Sequence, residues 1–260
     1  MQIFHKLFFF LFSTCLIIYS SLSIAIMASP ISASLDIEKK RSHVITVING
    51  SKTKTVPVNI RTASWSLSDT GKEIQTQTKD LMVFPRQMIL KPGQQRSVRV
   101  ATRYKKKQRV EQSYRVIVEE LPINLKKSGQ QSGVNILLAY ITAFYVLPTE
   151  PKSSLQFLNL TKKNNGLAFT FSNQGNAHTH LREMKLTISQ GGLSMVFTKD
   201  DELKDIKGEN ILAKHQRHFF WQWPANVAKQ FNLKKPLKVN IELECEYCSS
   251  TILNFQSVVP

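Results

Sequence analysis

Residues 84–100 read FPRQMILKPGQQRSVRV, and residues 111–122 read EQSYRVIVEELP. Apolar and polar side chains alternate through both, the two-residue period of a strand with one buried face. Lys91-Pro92-Gly93 interrupts the first stretch. Proline presets φ for the first central position of a tight turn, and glycine supplies the positive φ that a type II turn needs at the second. The stretch therefore predicts three short strands and one tight turn.

The same period extends in both directions. Upstream lie SHVITVING (42–50) and KTVPVNIRTASWSL (54–67), with turn residues at Asn49-Gly50 and Asp69-Thr70-Gly71; downstream, after the polar run Lys126–Ser132, comes VNILLAYITAFYVL (134–147). Several short strands at this spacing predict an antiparallel sandwich. Leu147-Pro148-Thr149-Glu150-Pro151 then breaks the pattern as a short, stiff linker. A second series follows: SLQFLNLTKK, GLAFTFSNQG, THLREMKLTIS, LSMVFTK, RHFFWQWP, LKVNIELE and TILNFQS. The charged segment Lys199–Asn210 reads as an exposed loop and Ala225–Lys234 as one short helix. The fold class predicted is all-β, with two sandwich domains at 29–148 and 149–260.

Ahead of them, residues 1–28 carry Lys6 and then a long apolar run that exits through Ser23, Ala25 and Ala28. This is the pattern of a secretory signal peptide, the other reading being a retained membrane anchor. The small-residue exit and the immediate onset of strand-like sequence favour cleavage. The formal net charge of the chain is +17, and removal of residues 1–28, with one Lys and no Asp or Glu, leaves +16. Such a balance suits nucleic acid, an anionic surface or an acidic partner. Export, and basic residues scattered along strands and loops, argue against nucleic acid. Cys245 and Cys248, the two cysteines outside the leader, are expected to form a disulfide in an oxidising compartment. A redox pair is the weaker reading, because it requires a helix N-terminus that the preceding run PLKVNIELE does not offer.

Enzyme signatures are absent: the chain has no GxSxG elbow, HExxH, phosphate-binding glycine loop or dinucleotide fingerprint. Neither cofactor nor metal is expected. His178 and His180 are two apart, within reach of one metal on a strand face, but no carboxylate or thiol is paired with them in the sequence, so both read as solvent-facing. His215 and His218 read as part of a polar loop before FFWQW. Trp65 reads as core, and Trp221 and Trp223 share parity with Phe219 on one aromatic strand face.

Val134–Pro148 carries the functional question. Both parities are apolar, and residues 134–146 contain no charge. A central strand covered on both faces reads this way. So does an edge strand whose surplus apolar row is meant for a partner, since natural proteins blunt bare edges with charge.

With these residues in view, the chain resembles the periplasmic chaperones of the chaperone–usher pathway over most of its length. SLDIEKK (34–40) resembles the family's first strand; FPRQMILKPGQQRSVRV resembles its proline, apolar strand, P-G turn and arginine-ending strand; EQSYRVIVEELP fits the E-x-x-Y-R-x-x-x-x-E-x-P pattern of divergent branches; and GLAFTFSNQGNAHTHL resembles the recurrent N-x-G-N strand end. The resemblance implies a boomerang of two immunoglobulin-like domains in the periplasm. It also implies pilus or fimbrial subunits as clients, an outer-membrane usher as the receiving partner, and a donor strand that completes the client's sandwich. Val134, Ile136, Leu138 and Tyr140 are the expected donor row, with Leu137, Ala139, Ile141 and Ala143 packing inward. The better-known branch anchors the client's terminal carboxylate with a first-strand arginine and a late donor-strand lysine. Here Lys39 stands on the first strand and Thr142-Ala143 occupy the lysine's place, so Lys39, Arg115 and Arg86 are the anchor candidates. A self-capping dimer through the same edge is a further expectation. The alternative function is an exported module binding an anionic surface ligand through Lys105-Lys106-Lys107, Arg103 and Arg109.

Overall fold

The computed structural model describes residues 26–68, 70–122, 137–250 and 252–260. Among the described residues ten strands precede the linker: β1 (Ile26–Ser29), β2 (Ser32–Leu35), β3 (Ser42–Asn49), β4 (Val56–Leu67), β5 (Glu73–Gln77), β6 (Leu81–Phe84), β7 (Gln87–Leu90), β8 (Gln95–Thr102), β9 (Gln112–Glu120) and β10 (Ala139–Val146). They form one sheet in the order β1-β3-β8-β6 and a second in the order β2-β10-β9-β4-β5, with β7 also on β4. Period-two alternation places Ile45, Val47, Val98 and Val100 from one sheet against Val58, Ile60, Tyr114, Val116, Val118, Phe144 and Val146 from the other. The Lys91–Gln94 turn closes as its composition predicts: Gln94 N–H donates to Lys91 O at 3.0 Å and Gly93 takes φ +68°.

Beyond Pro151 lie β11 (Leu155–Lys163), β12 (Gly166–Asn173), β13 (Thr179–His180), β14 (Met184–Gln190), β15 (Leu193–Phe197), β16 (Asn210–Ile211), β17 (Gln216–Gln222), helix α1 (Ala225–Gln230), β18 (Leu237–Glu244) and β19 (Ile252–Val259). The sheets here run β11-β12-β17 and β15-β14-β18-β19, with a short β13-β16 pair. Phe169, Phe171, Phe219, Trp221, Ile188 and Ile241 fill this second core. Among the described residues no ladder joins strands of the first series to strands of the second.

Four local expectations differ from the structure. Residues 26–28, assigned to the leader, form β1 with Ser29, and Ile26 and Ala28 are buried against the first core. The strand expected over 34–40 stops at Leu35, where Asp36 O accepts from Lys39 and Lys40 N–H and turns the chain. The charged segment 199–210 is not simply exposed, because Leu203 and Ile206 are fully buried in the second core and anchor its turns. His218 lies within β17 rather than in a loop, its Nδ1 2.8 Å from Thr170 Oγ1.

Candidate functional site

β10 is half covered. It pairs antiparallel with β9 along its whole length, from Ala139↔Glu119 to Val146↔Gln112. On its other side β2 runs parallel to Ala143–Val146 only. Among the described residues nothing pairs with that side of Ala139–Thr142. The ladder fixes which backbone groups are left over. Glu120 N–H donates to Leu138 O, so Leu138 faces β9, while Ala143 N–H donates to Ile31 O, toward the β2 side. Alternation then turns the N–H and C=O of Ala139 and Ile141 to the open edge.

Side chains alternate in the other dimension. Phe144 and Val146 are buried in the first core, and Tyr140 packs against it from the same parity. The odd-numbered row lies on the opposite face, where Ala143 and Tyr145 join Trp65, Leu67 and Leu212 in a cluster between the two series of strands. The expected parity is thus reversed: Leu137 is 51% and Ile141 43% exposed, Ala139 is exposed, and Tyr140 turns inward. The cause is the pairing of Phe144 with Tyr114, which commits even positions to the sandwich interior. Leu138 keeps 41% exposure because it precedes the strand's covered half. Val134 and Ile136 lie outside the described residues.

The open edge runs toward a cleft of about 400 Å³ lined by Ile31, Ser32, Trp65, Leu67, Gly71, Glu73, Arg115 and Ala143 on one side and His180, Gly208, Glu209, Asn210 and Arg217 on the other. Arg115 stands directly across the ladder from Ala143. Its guanidinium lies 3.4 Å over the Trp65 ring and reaches Glu73 bidentately, Nε–Oε1 3.1 Å and Nη2–Oε2 2.8 Å. Burial pushes the Glu73 carboxyl up, but hydrogen bonds from Arg115 and Gln75 and the charges of Arg115 and Arg217 outweigh it and hold the group below its ordinary value. Arg217 is likewise engaged, with the Glu209 carboxylate and with Asn210 O at 2.8 Å. Trp65 Nε1 is buried and has no hydrogen-bond partner among the described residues.

The anchor candidates therefore separate. Arg115 is in the cleft, at the end of the open edge, with Glu73 occupying its carboxylate-binding face. Lys39 is outside it, its side chain 85% exposed and 3.9 Å from Asp36. Arg86 is exposed beside Ile60, whose N–H donates to Arg86 O, so β9 and β4 separate it from β10 by roughly 14 Å at ~4.8 Å per strand. The cationic patch of the alternative function loses one member, because Lys107 is drawn in between Asp36 (3.0 Å) and Glu38 (3.1 Å).

Behind the cleft, side chains from both series of strands interlock. His178 is buried, not solvent-facing: its Nδ1 lies 2.6 Å from Glu111 Oε2, and its ring stacks on Tyr145 with centroids 3.6 Å apart. Asn210 Nδ2 donates to the Tyr145 hydroxyl. Burial raises the Tyr145 phenol, with the Asn210 hydrogen bond opposing it. His180 Nδ1 lies 3.2 Å from Glu246 Oε2, which Arg182 Nη2 also reaches at 3.2 Å. Cys245 and Cys248 are disulfide-bonded, closing the loop that presents Glu246 and Tyr247. Glu111 and Glu246 are 67 and 66 residues from their histidine partners, so sequence proximity offered no signal for either pair.

Residues 35–152 match the N-terminal domain of the PapD-type pili and flagellar-assembly chaperones. No curated protein matches the chain. Among solved structures, the chain is similar to one in the CsuC–CsuE chaperone–tip adhesion subunit pre-assembly complex from the archaic chaperone–usher Csu pili of Acinetobacter baumannii, with TM-score 0.54 and 16% identity over 91% of this chain and 98% of that one. It is also similar to the class 5 fimbriae chaperone CfaA, with TM-score 0.51 and 17% identity over 90% and 99%. A chain of the Salmonella enterica SafA pilin–SafB chaperone complex gives TM-score 0.52 and 9% identity over 89% and 96%. At these identities the structural likeness establishes the shared two-domain all-β fold.

Proposed function

We propose that the protein is a periplasmic chaperone that lends the open edge of β10 to fibre subunits, a reading supported by the match of residues 35–152 to the pili and flagellar-assembly chaperones, a non-enzymatic family. The observation that carries this reading is the side of Ala139–Thr142 left unpaired among the described residues, beside exposed Leu137, Ala139 and Ile141. A client strand laid there gains ladder bonds from Ala139 and Ile141, and the odd-numbered side chains give it register. Arg115 is the favoured anchor for the client's terminal carboxylate. It lies where the open edge meets the cleft, and a guanidinium binds a carboxylate bidentately; the client must displace Glu73 to reach it. Delivery to an outer-membrane usher, export by a cleaved leader, and division of the mature chain at the Pro148–Pro151 linker complete the proposal. A second copy capping the same edge is the proposed resting state.

The test compares tagged wild type with a Leu137→Asp, Ile141→Asp variant, both recovered from the periplasm of the native host, after circular dichroism has shown the variant folded. A small secreted protein recovered with the wild type and lost with the variant supports strand donation. Equal recovery with both overturns it and favours the cationic surface, which charge reversal at Lys105 and Lys106 then tests.

A further inference from the structure

We propose that His178, His180 and Glu246 form a zinc-class metal site at the junction of the two domains. The three side chains each bring one ligand atom to within 4.8 Å of the others. Two imidazoles and a carboxylate are a donor set that suits zinc and leaves a fourth position open.

Three further observations distinguish this cluster from a chance meeting of surface groups. First, Glu111 holds His178 by its Nδ1 edge. Its Oε2 accepts from His178 N–H at 3.3 Å and lies 2.6 Å from Nδ1, and both side chains are buried. A carboxylate there places the ring proton on Nδ1 and directs the Nε2 lone pair elsewhere, the carboxylate–histidine arrangement found behind metal ligands. Second, the ring plane is fixed, since Tyr145 lies parallel to it at 3.6 Å and 11°. His180 meets it edge-on at 4.9 Å. Third, exposure rises across the set, with side-chain values of 1% for His178, 16% for His180 and 28% for Glu246. The buried end is rigid, while His180 lines the cleft, so the open coordination position has access to solvent. The disulfide between Cys245 and Cys248 fixes the loop that carries Glu246.

Arg182 opposes a cation here, at 3.2 Å from Glu246 Oε2. Its side chain is 62% exposed, so it can swing into water at little cost, whereas the histidines are held. A metal bound by this set ties β13 to the Cys245–Cys248 loop, and through Glu111 to the start of β9. It would act on the geometry of the domain junction and not on strand donation directly.

The experiment is a zinc titration by isothermal calorimetry on the untagged full-length exported protein after chelation, with His180→Ala, Glu246→Gln and Glu111→Gln beside it. Circular dichroism confirms that each variant is folded. One zinc per chain is expected for the wild type, lost in His180→Ala and Glu246→Gln, and weakened about 10- to 100-fold in Glu111→Gln. No binding by the wild type, or binding unchanged in His180→Ala and Glu246→Gln, overturns the proposal. Client capture plays no part in the readout, so the result is independent of the chaperone reading.

Discussion

Tyr145 and His178 lie face to face across the domain junction, centroids 3.6 Å apart and planes 11° from parallel. Tyr145 belongs to β10, so the strand with the open edge is also the strand that the second domain holds. Its hydroxyl accepts from Asn210 Nδ2, and Asn210 is buried. Tyr145→Phe keeps the stack and strands that amide donor. The expected loss is about 1–3 kcal/mol of unfolding free energy. Urea denaturation followed by tyrosine-independent circular dichroism reads it; an unchanged midpoint would mean that water satisfies Asn210.

Glu73 and Arg115 give the cleft an acid dependence. The Glu73 carboxyl sits below its ordinary value of 4.5: burial raises it, but the Arg115 and Gln75 hydrogen bonds prevail. A carboxylate depressed on folding contributes stability that is complete above its unfolded value and fades as pH falls through the lower folded one. Stability measured from about pH 7 to about pH 3 should therefore decline more steeply in wild type than in Glu73→Gln. Curves that stay parallel below the ordinary value would remove the pair from the account. The effect on clients runs the other way, since Glu73→Gln frees the Arg115 fork and should tighten capture.

Much of the fold was legible because its signals are local. Pro92 before Gly93 names its own turn, and the alternation of QRSVRVAT and LKVNIELE survives in β8 and β18, while in β9 Val116, Ile117 and Val118 are buried in succession. Phe219, Trp221 and Trp223 share a buried face as their parity requires. What failed depended on distant partners. Nothing within VNILLAYITAFYVL says which parity faces inward; that is settled by Phe144 meeting Tyr114, thirty positions away in sequence. His178 looked solvent-facing because its partner, Glu111, lies in the other domain. Trp65 is buried as expected, but in the inter-domain cluster and under Arg115 rather than in a sandwich interior. Lys107 read as part of a basic run until Asp36 and Glu38 enclosed it.

Gly175 shows why the N-Q-G-N segment needs its glycine. A β-carbon there would stand 2.2 Å from Lys152 O and 2.6 Å from Ser153 Cα, both backbone atoms of the segment that follows Pro151. Neighbouring bonds hold that segment in place: Asn176 N–H and Ala177 N–H donate to Lys152 O, and Asn173 Oδ1 accepts from Ser154 N–H. Gly175→Ala cannot be relieved by a side-chain rotation, and about 1–3 kcal/mol of destabilisation is expected from the forced backbone shift. Thermal unfolding checks it, with Gly93→Ala as a contrast: no atom lies within 4 Å of a β-carbon there, so only its φ of +68° resists substitution.

The proposed leader cleavage has a site that β1 constrains. Ile26 and Ala28 are 4% and 3% exposed, and β1 pairs Ile26–Ser29 with Thr46–Asn49 of β3. Cleavage after Ala28 would discard most of this edge strand, including an isoleucine whose burial stabilises the domain by about 1.5–3 kcal/mol. Cleavage after Ala25 retains it, and Ser23-Ile24-Ala25 supplies the small residues at alternate positions that signal peptidase accepts. Intact mass of the periplasmic protein should place Ile26 at the N-terminus. A chain starting at Ser29 would mean that the domain functions without β1, leaving Val47 and the adjoining half of β3 as an uncovered edge. Denaturation of a chain truncated to Ser29 beside one starting at Ile26 should show the truncated chain less stable by about 1.5–3 kcal/mol.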